Sequence, residues 1–171
     1  MGRIRFDDRN CGIARSLDVL GDWWTLLIIR DAFFGVRRFA DFQRHLGISR
    51  NVLTHRLKHL VSNEILDRVD VGEHGERFEY RLTERGEALL PVLTTLREWG
   101  DEWVFGEGHE PIVLRERASG ERLPPTRVRN AEGRVLGRRE IRAEPGPGAD
   151  EQTRALFRPS RSKHADSSEP E

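Results

Sequence analysis

A lone cysteine, Cys11, among 171 residues excludes an internal disulfide framework and agrees with a reducing compartment. No apolar run approaches the ~20 residues that span a bilayer. The densest, Trp23 to Ile29, covers about two helical turns. Basic residues near the start of the chain, in MGRIRFDDRNCG, are not followed by the apolar segment of a secretory leader, so a cytoplasmic protein is expected and no membrane partner. Catalytic signatures are missing as well. There is no nucleotide-binding glycine loop, serine nucleophile elbow, H-E-x-x-H or clustered carboxylate pair, and the six histidines are scattered. His55 and His59 have the i, i+4 spacing of a metal pair, but no cysteine or acid completes the set. The expectation is therefore no enzyme, no metal and no cofactor.

An excess of one charge sign is absent too, with 29 basic and 29 acidic side chains. That sum argues mildly against nucleic acid, but the distribution argues for it. Between Val36 and Leu60 stand Arg37, Arg38, Arg44, Arg50, Arg56 and Lys58 against one acid, Asp41, with His45, His55 and His59 among them.

What is present reads as an ordered series of elements. A helix over Cys11 to Leu20 carries Ile13, Leu17 and Leu20 on one side. Asp22 is placed to cap a second helix, WWTLLIIRDAFFG, which is apolar over most of its circumference and closed by Gly35. In RRFADFQRHL, Phe39, Phe42 and Leu46 recur at helical spacing. Gly47 and Ile48 then turn the chain, and Ser49 caps a fourth helix, RNVLTHRLKHLVSN. Two helices joined by a short glycine turn have the form of a helix-turn-helix. The period then changes to alternation in ILDRVDV and RFEYRL, predicting a hairpin around Gly72 to Glu76. Thr83 caps a long helix, ERGEALLPVLTTLREWGDEWVF, in which Pro91 is a point for a bend.

The fold class expected is mainly α with a β-hairpin wing (α+β): a winged helix-turn-helix with N- and C-terminal dimerisation helices and a small β-rich C-terminal appendage. The divisions read as 1–108 for the DNA-binding and dimerisation domain, 109–158 for the appendage, and 159–171 for a disordered tail poor in apolar residues.

Wound at about 100° per residue, the fourth helix places Leu53, Leu57, Leu60 and Val61 on one side. Asn51, His55, Lys58 and Ser62 lie opposite, flanked by Thr54 and His59. That face has hydrogen-bonding groups and no carboxylate. Asn suits adenine, and Lys suits guanine acceptors or phosphate. Ser49, Arg50 and the N–H groups at the helix start suit a phosphate. Arg37 and Arg38 are placed to clamp the flanking backbone, and His74 and Arg77 on the wing to reach the minor groove, against the repulsion of Glu73, Glu76 and Glu79.

These parts together resemble a known family. The cysteine before the first helix, G-D-x-W-T-L-L-I, G-x-x-R-F over Gly35 to Phe39, I-S-x-N-V-L-T-x-R-L-K-x-L and Y-x-L-T-x-x-G are similar to the HxlR-type winged-helix regulators of bacteria, over roughly Asn10 to Trp103. Gly12 stands where proline is frequent in that family. The resemblance implies a homodimer on a palindromic operator of double-stranded DNA, and a sensing role for the N-terminal cysteine toward electrophiles or oxidants. The appendage resembles a zinc ribbon whose glycine turns remain, at Gly120 and Gly133, while its thiolates are gone.

Leu89, Leu93, Leu96, Gly100 and Trp103 repeat at four, three, four and three, with Val92 and Trp99 beside them. This apolar seam makes Leu89, Leu93, Leu96, Trp99 and Trp103 the candidate dimer interface, with packing on the chain's own first helix as the alternative. Cys11 reads either as a small buried hydrophobe or as a reactive thiol, favoured by the helix start, Arg9 and Arg15. Of Trp23 and Trp24, one is expected in the core. The alternatives left open are a winged-helix module for protein contacts and a regulator responding to a small ligand without cysteine sensing.

Overall fold

The computed structural model describes residue 6, residues 8–72 and residues 77–158. Four helices come first: α1 (Gly12–Leu20), α2 (Trp23–Phe33), α3 (Phe39–Leu46) and α4 (Arg50–Ser62). An antiparallel hairpin of β1 (Leu66–Asp70) and β2 (Phe78–Leu82) follows, in the register Leu66 opposite Leu82 and Asp70 opposite Phe78. The order is that of a winged helix-turn-helix. Among the described residues no helix is long and apolar enough to cross a membrane.

The helix starts follow from local chemistry. Asp22 accepts from the N–H groups of Trp24 (3.0 Å) and Thr25 (3.4 Å), and Ser49 accepts from Val52 at 3.4 Å. Gly47 ends α3 at φ 62°, a left-handed position that glycine adopts without a Cβ penalty. The core lies where the apolar stripes converge. Ile28, Ile29 and Ala32 of α2 meet Phe42 of α3, Leu53, Leu57 and Leu60 of α4, and Leu66 of β1, all buried. Tyr80 of β2 closes it, with its ring edge-on to Phe42 at 6.5 Å. Trp24 packs on this core, whereas Trp23 is 74% exposed, so the adjacent pair divides as their opposed directions require.

The hairpin returns to the helices through Thr83. Its hydroxyl donates to the Glu64 carbonyl at 2.5 Å and accepts from the Gly86 N–H at 3.0 Å, while its own N–H donates to the Ile65 carbonyl at 3.2 Å. A Cβ on Gly86 would collide with that same Ile65 carbonyl oxygen. The T-x-x-G spacing is thus the joint between wing and C-terminal helices.

The long C-terminal helix anticipated from the sequence is broken. α5 (Glu84–Glu87) is a single turn, α6 (Leu90–Gly100) restarts with Pro91 in its first turn, and Asp101–Phe105 widens to a π-helical turn. Proline has no N–H to give and its ring bars the preceding turn, so the break falls where such a residue is tolerated. Trp103 falls inside that π turn, where the heptad spacing from Leu89 and Leu93 no longer holds. Those two leucines pack against the chain's own core, while Trp99 and Trp103 are 58% and 70% exposed.

Past Gly108 the β structure consists of two isolated antiparallel bridges, Arg115 with Arg122 and Arg129 with Val135. Each bridges a turn in which arginine donates to a glycine carbonyl: Arg115 to Gly120 at 3.0 Å and Arg129 to Gly133 at 2.7 Å. With almost every side chain there exposed, these polar clips take the place of a core. A helix absent from the sequence reading, α7 (Glu151–Leu156), ends the described chain. Asn10 holds it from a distance: its amide donates to the Gly148 carbonyl at 3.1 Å, and its carbonyl accepts from Asp150 N–H (3.2 Å) and the Thr153 hydroxyl (3.0 Å).

Candidate nucleic-acid interface

The second helix of the helix-turn-helix, α4, buries Leu53, Leu57 and Leu60 and turns Asn51, His55 and Lys58 outward. None of these three has an ion-pair partner among the described residues, so their donors and acceptors face solvent. Val52 beside them is exposed as well, an apolar contact of the kind that meets a thymine methyl group. Sequence reasoning assigns it to neither face, because it falls between the leucine line and the polar stripe. Thr54 spends its hydroxyl hydrogen on the Arg50 carbonyl at 2.8 Å, and Ser62 bonds the His59 carbonyl at 3.0 Å. Thr54 therefore offers lone pairs rather than a proton.

Arg50, at the helix start beside Ser49, lies over the Phe39 ring with 5.5 Å from its guanidinium carbon to the ring centroid. This cation–π contact restrains a long side chain at the point where N–H groups and the helix dipole favour a phosphate.

Not all of the basic cluster faces outward. Arg56 is largely buried and pairs with Asp22 at 2.7 Å, fastening α4 to the start of α2. Arg44 pairs with Asp41, and His45 lies 3.9 Å from the buried Asp31 carboxylate. His59 is also structural, with Nε2 3.0 Å from the Val19 carbonyl oxygen of α1 and Nδ1 3.4 Å from the Asn63 amide. The i, i+4 histidines thus have separate settings, His59 bonded to α1 and His55 in solvent.

At the wing, Arg38 lies 3.8 Å from Glu79, which also takes Arg81 at 3.1 Å. Glu79 is mostly buried, so much of the repulsion foreseen from it is neutralised within the protein. Arg37 joins the wing through its backbone, its carbonyl accepting from Tyr80 N–H at 2.8 Å. Arg68, a residue the sequence reading passed over, stacks on Phe78 at 3.4 Å. Arg77 is exposed, and its N–H, like that of Gly72, bonds Asp70 Oδ1. Those two bonds hold the Asp70 carboxyl below the usual aspartate range. His74 and its neighbouring glutamates, Glu73 and Glu76, lie outside the described residues.

Away from this surface, Cys11 is exposed at the start of α1, in a shallow recess shared with Arg9, Arg15 and the segment from Gly146 to Thr153. Within the single chain it is therefore not packed in the core. Among the described residues no group of three His, Cys, Asp or Glu side chains is placed to hold a metal ion.

Comparison with known proteins agrees with this geometry. Residues 19–107 match the model of the HxlR-like helix-turn-helix family. An uncharacterized HTH-type transcriptional regulator of Mycobacterium tuberculosis, Rv3095, is 43% identical over 144 residues, covering 84% of this chain and 90% of that protein. The solved structure of PA1607, described as a candidate transcription factor, superposes with a TM-score of 0.75 at 40% identity, over 81% of this chain and 97% of that one. HypR in its oxidized form, described as a redox regulator, matches with a TM-score of 0.50 at 32% identity, over 53% of this chain and 95% of that one. The chain belongs to the HxlR-like helix-turn-helix family of transcriptional regulators.

Proposed function

We propose that this regulator binds a palindromic operator in double-stranded DNA as a homodimer, inserting α4 into the major groove. The observation that carries the reading is the outward face of α4, where Asn51, His55 and Lys58 stand together without a carboxylate. Arg50, Ser49 and Arg37 serve the flanking phosphates, with Arg38 and Thr54 beside them, and Arg77 and Arg68 extend the contact from the wing. A helix with this composition is suited to reading base edges, not to covering an apolar partner.

The dimer reading is supported by apolar surface that a solitary molecule rarely shows. Ile13 (75% exposed) and Leu17 on α1 are exposed, as are Leu96, Trp99 and Trp103 on the C-terminal helices. An isologous pairing of α1 and the α6 extension would bury them and set two recognition helices one DNA turn apart.

Cys11 is the chemical sensor in this account. Its exposure, its place at a helix start and the similarity to HypR support that role. Without a second cysteine, the accessible products are an adduct, a sulfenic acid, a mixed disulfide or an inter-subunit disulfide. The proposed place of action is the cytoplasm.

A gel shift tests the proposal, using the purified chain and the DNA upstream of its own gene, with and without a quinone. The expected result is a band that salt removes and that the quinone releases, with release lost in Cys11→Ser. Failure to shift this DNA, neighbouring promoters and genomic fragments alike would favour a module for protein contacts. Release that persists in Cys11→Ser would favour a small ligand acting elsewhere.

A further inference from the structure

Between α2 and α6 lies an apolar chamber, half open to solvent, that DNA reading does not use. Leu26 and Phe33 from α2, Leu93 and Leu96 from α6, Phe105 from the π turn and Ile112 beyond it line a cavity of about 390 Å³. That falls within the range of small-molecule sites, roughly 300–1,000 Å³. One side belongs to the appendage, since Pro111, Ile112 and Leu114 contribute to the wall. Arg97 fixes this segment by donating to the Ile112 carbonyl at 3.2 Å.

The charges at the chamber are committed to one another. Arg30 gives two hydrogen bonds to Asp31 Oδ1, at 2.9 and 2.7 Å, and Arg97 pairs with Asp101 and lies 3.8 Å from Glu98. An anionic ligand would find no free cation there, and a cationic one no free carboxylate. The complement to such a space is an uncharged molecule with an apolar, ring-sized body.

We propose that this chamber is an effector site for an uncharged, mainly apolar small molecule. A second copy of the chain is the poorer occupant. Trp23, Trp103 and Trp99, the most exposed aromatic residues among those described, do not line the chamber; only Leu96 borders both it and the proposed dimer face, and part of the wall is already this chain's own appendage. The position also gives the occupant leverage. α2 carries the core beneath α3 and α4, and α6 carries the proposed dimer face, so a molecule wedged between them alters the spacing of two recognition helices. That regulatory consequence rests on the DNA-binding reading above, whereas the site itself stands on cavity and charge.

Titration of the full chain with 1-N-phenylnaphthylamine, an uncharged dye that brightens in apolar surroundings, tests the site. The expected result is saturable binding of one dye per chain, weakened at least tenfold by Ile112→Trp and by Leu114→Trp and changed less than twofold by Trp103→Ala. Circular dichroism of each variant establishes that it is folded. Absent or unsaturable binding, binding by either filled variant as tight as the parent's, or loss in Trp103→Ala overturns the site. Operator affinity measured with and without dye separates the two readings. Dye binding that leaves that affinity unchanged overturns the effector role alone, and intact dye binding in a chain that binds no DNA counts against the operator reading alone.

Discussion

His59 of α4 reaches back to Val19 of α1, with 3.0 Å between Nε2 and the carbonyl oxygen. A carbonyl only accepts, so Nε2 carries the proton, and Nδ1 is left to accept from the Asn63 amide at 3.4 Å. The helix that starts at the exposed cysteine is thereby tied to the helix proposed to face DNA. Replacing His59 by alanine leaves the half-buried Val19 carbonyl without its partner, at a cost of about 1–3 kcal/mol. Thermal unfolding checks this: at roughly 2–4 °C per kcal/mol, the midpoint is expected to fall by several degrees. An unchanged midpoint would show that the bond contributes nothing.

Gly86 is required by close approach. A methyl group there meets the Ile65 carbonyl and the Leu82 side chain, so Gly86→Ala must push wing and C-terminal helices apart. Destabilisation of about 1–3 kcal/mol is expected from such overpacking. Urea unfolding of the variant measures it, and a midpoint equal to the parent's contradicts the account of this joint.

The wing has an acid-sensitive tie. Asp70 accepts from the Gly72 and Arg77 N–H groups, and these bonds lower its pKa in the folded chain. A depressed folded value means that its contribution is complete above the ordinary aspartate pKa of about 4 and is lost as pH falls through the lower folded value. Amide NMR signals of Gly72 and Arg77 should therefore hold steady from neutrality to about pH 4 and shift together below it. Movement centred near neutrality would assign the tie to another group.

Cys11 should alkylate readily, since it is exposed in the described chain. Asn10 next to it anchors the Gly148–Thr153 segment that forms one wall of its recess. Asn10→Ala releases that wall, so iodoacetamide labelling is expected to quicken several-fold. A rate identical to the parent's would mean that the segment does not limit access.

Legibility in the sequence followed the range of the interaction. The caps at Asp22, Ser49 and Thr83 depend on a side chain and an N–H two or three residues on, so local spacing was enough to find them. The leucines of α4 declared its buried face through period alone. The roles of Arg56 and His59 were hidden because their partners, Asp22 and Val19, are remote in sequence, and a basic residue reads the same whether it meets DNA or its own chain. α7 was missed for a similar reason, because six residues make no persuasive helical period and Asn10 steadies them from the other end of the chain. The π turn at Asp101–Phe105 inserts an extra residue per turn that no heptad count foresees, so the seam through Trp103 looked straighter than it is. The chamber beside α6 arises only when separate elements converge.

Fluorescence anisotropy on a labelled duplex from the chain's own upstream DNA and on a scrambled duplex, over a series of salt concentrations, tests whether α4 reads DNA. Tighter binding to the upstream duplex and a steep loss of affinity with salt are expected. Asn51→Ala should weaken binding by about 1–3 kcal/mol and narrow the difference between the two duplexes, as for a base contact. Lys58→Ala should weaken both and reduce the salt slope by about one if it meets phosphate. Equal, salt-insensitive binding of the two duplexes, unmoved by either substitution, would contradict the assignment of α4 as the DNA-reading helix.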